Sequence, residues 1–339
     1  MKAYGIGDQS GIAGLHLFEA SDPVAAPGEL IVRVTAAGLN YRDLMLLRGH
    51  YGQSQPPTRI PLSDGVGIVE SCGEGVTSFS VGDRVIAPHF VIWLDGRFSM
   101  ALFGRDLGVT ANGWLAEKIA IPASAAIAIT STVSDETAAS LAVVGGTVWH
   151  AMVAFAQVQP GELVLSQGTG GVSIFALQLA KALGAQFAIS SSSDAKLEKC
   201  RALGADYAIS YLANPDWPAA LLAATGGRGA DVVVDTLGFP ALGQTVAATA
   251  VEGRIGTLGA LSGSPQASAT ASQGIIIAKN ITIKGIASGS RAMLASALDV
   301  IAKSGIEMIV DKAFGFDDAP AAFAHLESGA HMGKVIIKI

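Results

Sequence analysis

Cysteine is nearly absent from the chain: Cys72 and Cys200 stand alone and far apart among 339 residues. Two isolated cysteines cannot build a disulfide framework or a multi-cysteine zinc cluster, so both are expected to be small buried hydrophobes. The six histidines include no i, i+4 pair and no His-x-His, which leaves no metal-ligand spacing. Charge is sparse as well. Charged residues make up 15% of the chain and the net charge is −6, with no basic run to track a phosphate backbone, so nucleic acid is excluded as a partner. Long apolar runs are also missing. The most apolar stretch, LAVVGGTVWHAMVAFAQV (141–158), contains His150 and several small residues. It falls short of the roughly 20 residues that span a bilayer and is expected to form a buried helix. The opening MKAYGIGDQS lacks the apolar segment of a secretory signal. These absences together predict a soluble, cytoplasmic protein with no membrane partner.

What is present suits two packed domains of about 100–200 residues each. Half the residues are apolar. The texture changes near residue 125. Before it, short segments such as ELIVRV (29–34), VGIVES (66–71) and DRVIA (83–87) alternate with Gly-, Pro- and Ser-containing turns, the pattern of a β-rich domain. After it, strand-like and helix-like segments alternate. ELVLSQ (162–167), AQFAIS (185–190), YAIS (207–210), DVVVDT (231–236), RIGTLG (254–259) and ITIKGI (281–286) read as strands. Val172, Phe175, Ala176, Leu179 and Leu183 recur on one helical face, and further helical segments fall near 194–204, 216–224, 239–250 and 272–279. Six strands with interposed helices predict a doubly wound parallel sheet. The tail, from about 289, contributes a helix over 291–305, another around 318–328 and a closing strand, GKVIIKI, expected to return to the first domain. The expected domains are therefore 1–125, completed by 289–339, and 126–288.

Between the first strand of that sheet and its helix lies QGTGGVS (167–173), with the spacing Gly168-x-Gly170-x-x-Ser173. A lone glycine pattern of this kind is weak, but it opens the first of several βα units, the context that dinucleotide binding demands. Backbone N–H groups of Thr169, Gly170, Gly171 and Val172, with the helix N-terminus behind them, would face a pyrophosphate. An NAD site carries Asp or Glu at the end of the second strand. Here that place falls on Ser191, and Asp194 follows as the expected N-cap of the next helix. Hydroxyls from Ser191, Ser192 and Ser193 with the Lys196 ammonium suit a 2′-phosphate, so NADP(H) is the expected cofactor; the alternative is a serine-rich loop beside a solvated lysine.

AAGLNYRDLMLLRGHY (36–51), IPLSDGVGIVESCGEGVTSFSVGDRV (60–85), GTVW (146–149), QGTGGVS, RALGADYAISY (201–211) and LESGAHMGKVIIKI (326–339), in this order, resemble the medium-chain dehydrogenase/reductase superfamily. The resemblance implies a GroES-like β-rich catalytic domain paired with a Rossmann domain. Zinc-dependent alcohol dehydrogenases of that superfamily place their ligands at positions matching Asn40, Leu62-Ser63-Asp64 and the neighbourhood of Val143. None of these keeps a Cys or His, so no metal is expected. The resemblance points to the zinc-free quinone oxidoreductase-like and alcohol dehydrogenase-like branch, implying hydride transfer from NADPH to an activated C=C of an enone or quinone.

Within the resemblance, Asn40 and Thr147 would hold the nicotinamide, and Tyr51 matches a tyrosine that some enoyl reductases use as proton donor. A phenol suits that task because it donates while remaining neutral near pH 7. Tyr211 would lie beside the adenosine phosphate, and Gly238 and Gly259 would let the backbone approach the cofactor. Ser290, Arg291 and Lys334 are further cofactor-side candidates; Arg291 alternatively begins an exposed helix. Asp43 is expected to fix its turn or to pair with Arg42 or Arg48. The aromatic-rich segment 88–112 departs from the compact quinone-reductase pattern and is expected to shape substrate choice. The alternatives are an NADP-dependent alcohol dehydrogenase or carbonyl reductase, and a non-catalytic dinucleotide-binding protein. A small-molecule substrate and a homodimer, paired through ITIKGI, are the expected partners.

Overall fold

The computed structural model describes residues 1–259 and 273–339. Its strands in chain order are β1 (Lys2–Gly5), β2 (His16–Glu19), β3 (Glu29–Gly38), β4 (Asp64–Cys72), β5 (Arg84–Ile86), β6 (Lys118–Pro122) and β7 (Ile127–Ala128). These are followed by β8 (Leu163–Gln167), β9 (Gln186–Ser191), β10 (Tyr207–Ser210), β11 (Ala230–Asp235), β12 (Thr249–Thr257), β13 (Thr282–Gly285), β14 (Val310–Gly315) and β15 (Lys334–Lys338). Two compact units result, Met1–Gly146 with Gly289–Ile339, and Thr147–Ser288. Residues 126–146, expected with the second unit, pack with the first. The physical reason is pairing: β7 adds to β5, and Asp135 is tied to Thr35 and Arg84.

The first unit is built on a seven-stranded sheet ordered β14-β15-β3-β4-β5-β7, with β6 on β3. The closing strand does return here, Ile337 opposite Ala37 in an antiparallel pairing. Strand β3 sits at the centre, so its side chains are buried in near-continuous runs, with Leu30, Val32 and Val34 in the core and Arg33 exposed. Crowding in this core fixes a glycine. A Cβ on Gly65 of β4 would stand 2.3 Å from Cδ2 of the fully buried Trp114.

The second unit is a six-stranded sheet, parallel throughout, in the order β10-β9-β8-β11-β12-β13. Strands β8 and β11 are buried because helices cover both faces, as parallel sheets require. The order reverses between β8 and β11, and a doubly wound sheet binds ligands beyond the strand ends at such a switch point. The apolar stretch 141–158 is helical but not uniform: an α-turn, Val144–Trp149, passes into a π-helical turn, His150–Phe155. His150 Nδ1 lies 2.6 Å from the Ser288 carbonyl. Among the described residues no helix is long and apolar enough to cross a membrane.

Gly65→Ala is expected to cost about 1–3 kcal/mol, the usual penalty for overpacking a filled core. Urea denaturation followed by tryptophan fluorescence checks it, since the displaced neighbour is Trp114.

Candidate active site

In the second unit the glycine turn is built as the motif requires. Gly168 takes φ 73°, a left-handed conformation natural to glycine, and its N–H donates to the Ser190 carbonyl at 2.7 Å. Gly170 precedes the helix Gly171–Ala182. A Cβ at Gly168 or Gly170 would meet nothing within 4 Å, so the turn offers bare backbone with open space before it. Behind it the packing is close. Ser173, in the place of the third glycine, donates from Oγ to the Gln167 carbonyl at 2.8 Å and lies 2.9 Å from Ser166 Oγ. Gln167 then stitches the switch point together, its carbonyl accepting from Thr236 Oγ1 at 2.7 Å and its amide donating to Thr245 at 3.0 Å.

Gly259 is fixed by close approach, since a Cβ there would stand 1.8 Å from the Thr236 carbonyl oxygen. Gly238, at φ 80°, gives its N–H to the Asp235 carboxylate at 3.2 Å. This open, N–H-lined turn at a helix N-terminus fits the pyrophosphate of a dinucleotide. At the end of β9, Ser190 and Ser191 are buried and Ser192 is exposed, with no acid in the strand. Ser193, rather than the expected Asp194, is the N-cap, accepting from Lys196 N at 3.3 Å, and Asp194 becomes the first helical residue. Tyr211 is exposed, its N–H donating to the Ser191 carbonyl at 3.2 Å. Thr147 is buried in the helix Val144–Trp149.

In the first unit the residues gather around the start of the helix Tyr41–Leu47. Asn40 precedes it in extended conformation, its N–H donating to Asp43 Oδ2 at 2.7 Å. The Lys334 ammonium, 2% exposed, donates to the Leu39 carbonyl at 2.8 Å, Asn40 Oδ1 at 2.8 Å and Asp64 Oδ2 at 2.9 Å. All three of its hydrogens are thereby used within the unit. The other Asp64 oxygen accepts from Val143 N at 2.7 Å. A cation on the amide oxygen of Asn40 strengthens its Nδ2 as a donor, and that nitrogen is buried with no acceptor supplied by the protein.

Asp43 does fix its turn, but it does not pair with Arg42 or Arg48. Arg48 goes to Glu327, and Arg42 goes to Asp106 across the chain. Burial pushes the Asp43 carboxyl up to about 7, against the pull of Arg42 and of the Asn40 N–H. Tyr51 is half-buried, with the Arg42 guanidinium carbon 4.8 Å from its ring centroid. His89 Nδ1 lies 2.6 Å from Arg42 Nη1 and 2.8 Å from Asp106 Oδ1. Neither His89 nor Asp106 was singled out in the sequence, because they lie at the two ends of a loop whose closure no spacing rule encodes. The aromatics between them close on one another: Phe90, Trp93, Phe98 and Phe103 meet edge to face, with Met293 against them. Ser290 is a buried N-cap, and Arg291 donates twice to the Ala126 carbonyl, at 3.1 and 2.9 Å.

A GroES-like β-rich unit and a glycine-turn parallel sheet define a nicotinamide-dependent oxidoreductase acting on a small molecule. Residues 26–131 match the alcohol dehydrogenase GroES-like domain and residues 171–303 the zinc-binding dehydrogenase family. The chain is 38% identical to a zinc-type alcohol dehydrogenase-like protein of Schizosaccharomyces pombe, covering 92% of this chain and 91% of that one. It is 30% identical to an acryloyl-coenzyme A reductase of Metallosphaera sedula, covering 96% of each. The crystal structure of an NAD-dependent alcohol dehydrogenase superposes with a TM-score of 0.91 at 30% identity, covering 100% of both chains. The protein belongs to the medium-chain dehydrogenase/reductase superfamily.

The metal in the names of some relatives does not fit the residues here. Asn40 turns its oxygen to an ammonium, Ser63 gives its hydroxyl to the Leu107 carbonyl at 3.0 Å, and Val143 offers an apolar side chain. Among the described residues no cluster of three His, Cys, Asp or Glu could hold a metal ion.

The Asp43 shift has a defined effect on stability. Its carboxyl titrates near 3.9 when unfolded and about 7 when folded, so the folded state holds the proton more tightly. Its contribution is therefore full below about pH 4 and lost as pH rises through about 7. Asp43→Asn is expected to flatten that decline, as read from urea midpoints across the window.

Proposed function

We propose that the protein is an NADPH-dependent, zinc-free reductase of an activated C=C in an α,β-unsaturated carbonyl or quinone. The observation that carries this reading is the Tyr51 phenol held against Arg42, a proton donor in a unit whose metal-ligand positions hold Asn, Ser and Val. When bound, the reduced nicotinamide supplies a hydride to the β-carbon of the substrate. Tyr51 stabilises the resulting enolate by hydrogen bonding and gives it a proton. Asn40, its oxygen fixed by Lys334, offers Nδ2 to the nicotinamide amide, and Thr147 serves the same end of the cofactor. The turn Gly168–Val172 holds the pyrophosphate, with Gly238 and Gly259 keeping the backbone clear of side chains. Ser191, Ser192, Lys196 and Tyr211 receive the 2′-phosphate, a role supported by the missing acid at the end of β9. The name of the acryloyl-coenzyme A reductase relative supports the choice of C=C over C=O.

The protein is further proposed to work in the cytoplasm as a homodimer. Strand β13 ends the parallel sheet, and pairing with its twin would satisfy an edge that otherwise invites aggregation. Sedimentation equilibrium is expected to give twice the chain mass, and a monomeric mass would overturn this part of the proposal.

Stopped-flow loss of NADPH and NADH by chelator-treated protein, against benzoquinone, a simple enone and an aldehyde, tests the reaction. Turnover is expected with the quinone or enone and with preference for NADPH. Tyr51→Phe is expected to lower kcat by about 10²–10⁴-fold. Turnover of the aldehyde alone would move the protein to the alcohol dehydrogenases, and cofactor binding without turnover to the non-catalytic binders.

A further inference from the structure

The proton donor of the proposed reaction does not stand alone. Arg42 is buried, its side chain 10% exposed, and its ring contact is with Tyr51. Its guanidinium is held by two further groups, Nη2 on Asp106 Oδ2 and Nη1 2.6 Å from His89 Nδ1. The Arg42 Nε–H is buried and has no partner. Asp106 is itself anchored, its N–H donating to Thr110 Oγ1 at 2.9 Å, and Phe90 bridges to it across the base of the aromatic loop. The planar fork of an arginine makes such a two-point grip, which a lysine cannot reproduce.

We propose that Arg42, clamped by Asp106 and His89, is a positioning residue for Tyr51: it holds the ring and supplies the positive charge beside which the phenolate forms as the proton leaves. The proposal rests on the reading of Tyr51 as proton donor. In the step concerned, the Tyr51 O–H bond breaks, its electron pair stays on the phenolate, and the proton joins the substrate enolate created by hydride addition. A phenolate in a half-buried setting lacks the water that would solvate it, so a fixed cation is what makes the transfer affordable.

The charged groups facing Tyr51 are Arg42, Asp106 and Asp43. Burial raises the phenol above its ordinary range; Arg42 acts to lower it, and the two carboxyls act to raise it. Burial and Arg42 hold the His89 imidazole below its ordinary range, so it remains neutral and adds no second cation. Asp106 stays ionised, because the Arg42 guanidinium beside it holds its carboxyl below the ordinary range against the upward push of burial.

The test is direct titration of the Tyr51 phenol in the full-length protein by NMR with ring-carbon-labelled tyrosine. The chain has five tyrosines, and Tyr51→Phe assigns the signal. Arg42→Met is expected to raise the phenol pKa by about one unit, a tenfold loss of acidity, and to move the pH profile of kcat in the same direction. Arg42→Lys, which keeps the charge and loses the fork, is expected to hold the phenol pKa near its wild-type value while lowering kcat; it also serves if the methionine variant does not fold. A phenol that titrates alike in wild type and Arg42→Met overturns the proposal whatever the activity does. In the lysine arm, a phenol pKa raised by a unit or more, or an unchanged kcat, overturns it. A phenol that shifts while Tyr51→Phe retains full kcat overturns the reading of Tyr51 instead, and with it the catalytic part of Arg42.

Discussion

A buried ammonium organises the first unit. Lys334 arrives on the last strand, after the chain has passed through the other unit, and ties Leu39 and Asn40, in the turn between β3 and the helix Tyr41–Leu47, to Asp64 at the start of β4. Charges this deeply buried are costly to desolvate, and the cost is recovered only where the geometry satisfies every proton. Here it does, and Asp64 uses its second oxygen on the Val143 N–H. Removing the lysine would strand a carboxylate with almost no solvent access, a change of about 3–5 kcal/mol in comparable pairs. Around this pair the start of the helix Tyr41–Leu47 is fixed, and Asn40, Arg42 and Asp43 inherit their positions from it.

Two residues apart on that turn, Asn40 and Arg42 serve different tasks. The first presents a polarised amide, and the second reaches outward to Tyr51, His89 and Asp106. Asp43 joins the two electrostatically, since its carboxyl feels both Arg42 and Lys334. The second unit solves a different problem, presenting bare backbone at Gly168 and Gly170 while packing Ser173, Gln167 and Thr236 tightly behind.

Much of this was legible in the residues alone. Short apolar runs located all six strands of the parallel sheet, and a period-3.6 pattern the helix behind the glycine turn, because burial leaves its mark on local sequence. The glycine turn was legible for the same reason: its function depends on contiguous backbone. What stayed hidden depends on contacts between distant segments. Lys334 reads from the sequence as a cofactor-side candidate, yet nothing local says that its hydrogens meet Leu39, Asn40 and Asp64. Arg42 has nearby acids in the sequence, but its partner is Asp106, brought near by loop closure at Phe90 and Leu107. The exchange of Asp194 for Ser193 as N-cap is a shift of one residue, which composition does not resolve because either side chain can cap.

The aromatic loop has a consequence for anyone redesigning this scaffold. Its apolar residues look like a self-contained module, with Phe90, Trp93, Phe98 and Phe103 packed edge to face. The module ends, however, in His89 and Asp106, the two groups that grip Arg42. Loop grafting between homologues treats such a segment as interchangeable decoration. In this protein a donor loop lacking an acid at its closing base would leave a buried guanidinium without its counter-charge. The graft boundaries therefore belong inside residues 89–106, with His89 and Asp106 retained, if the transplanted loop is to change which molecules are accepted without also changing how the chemistry runs.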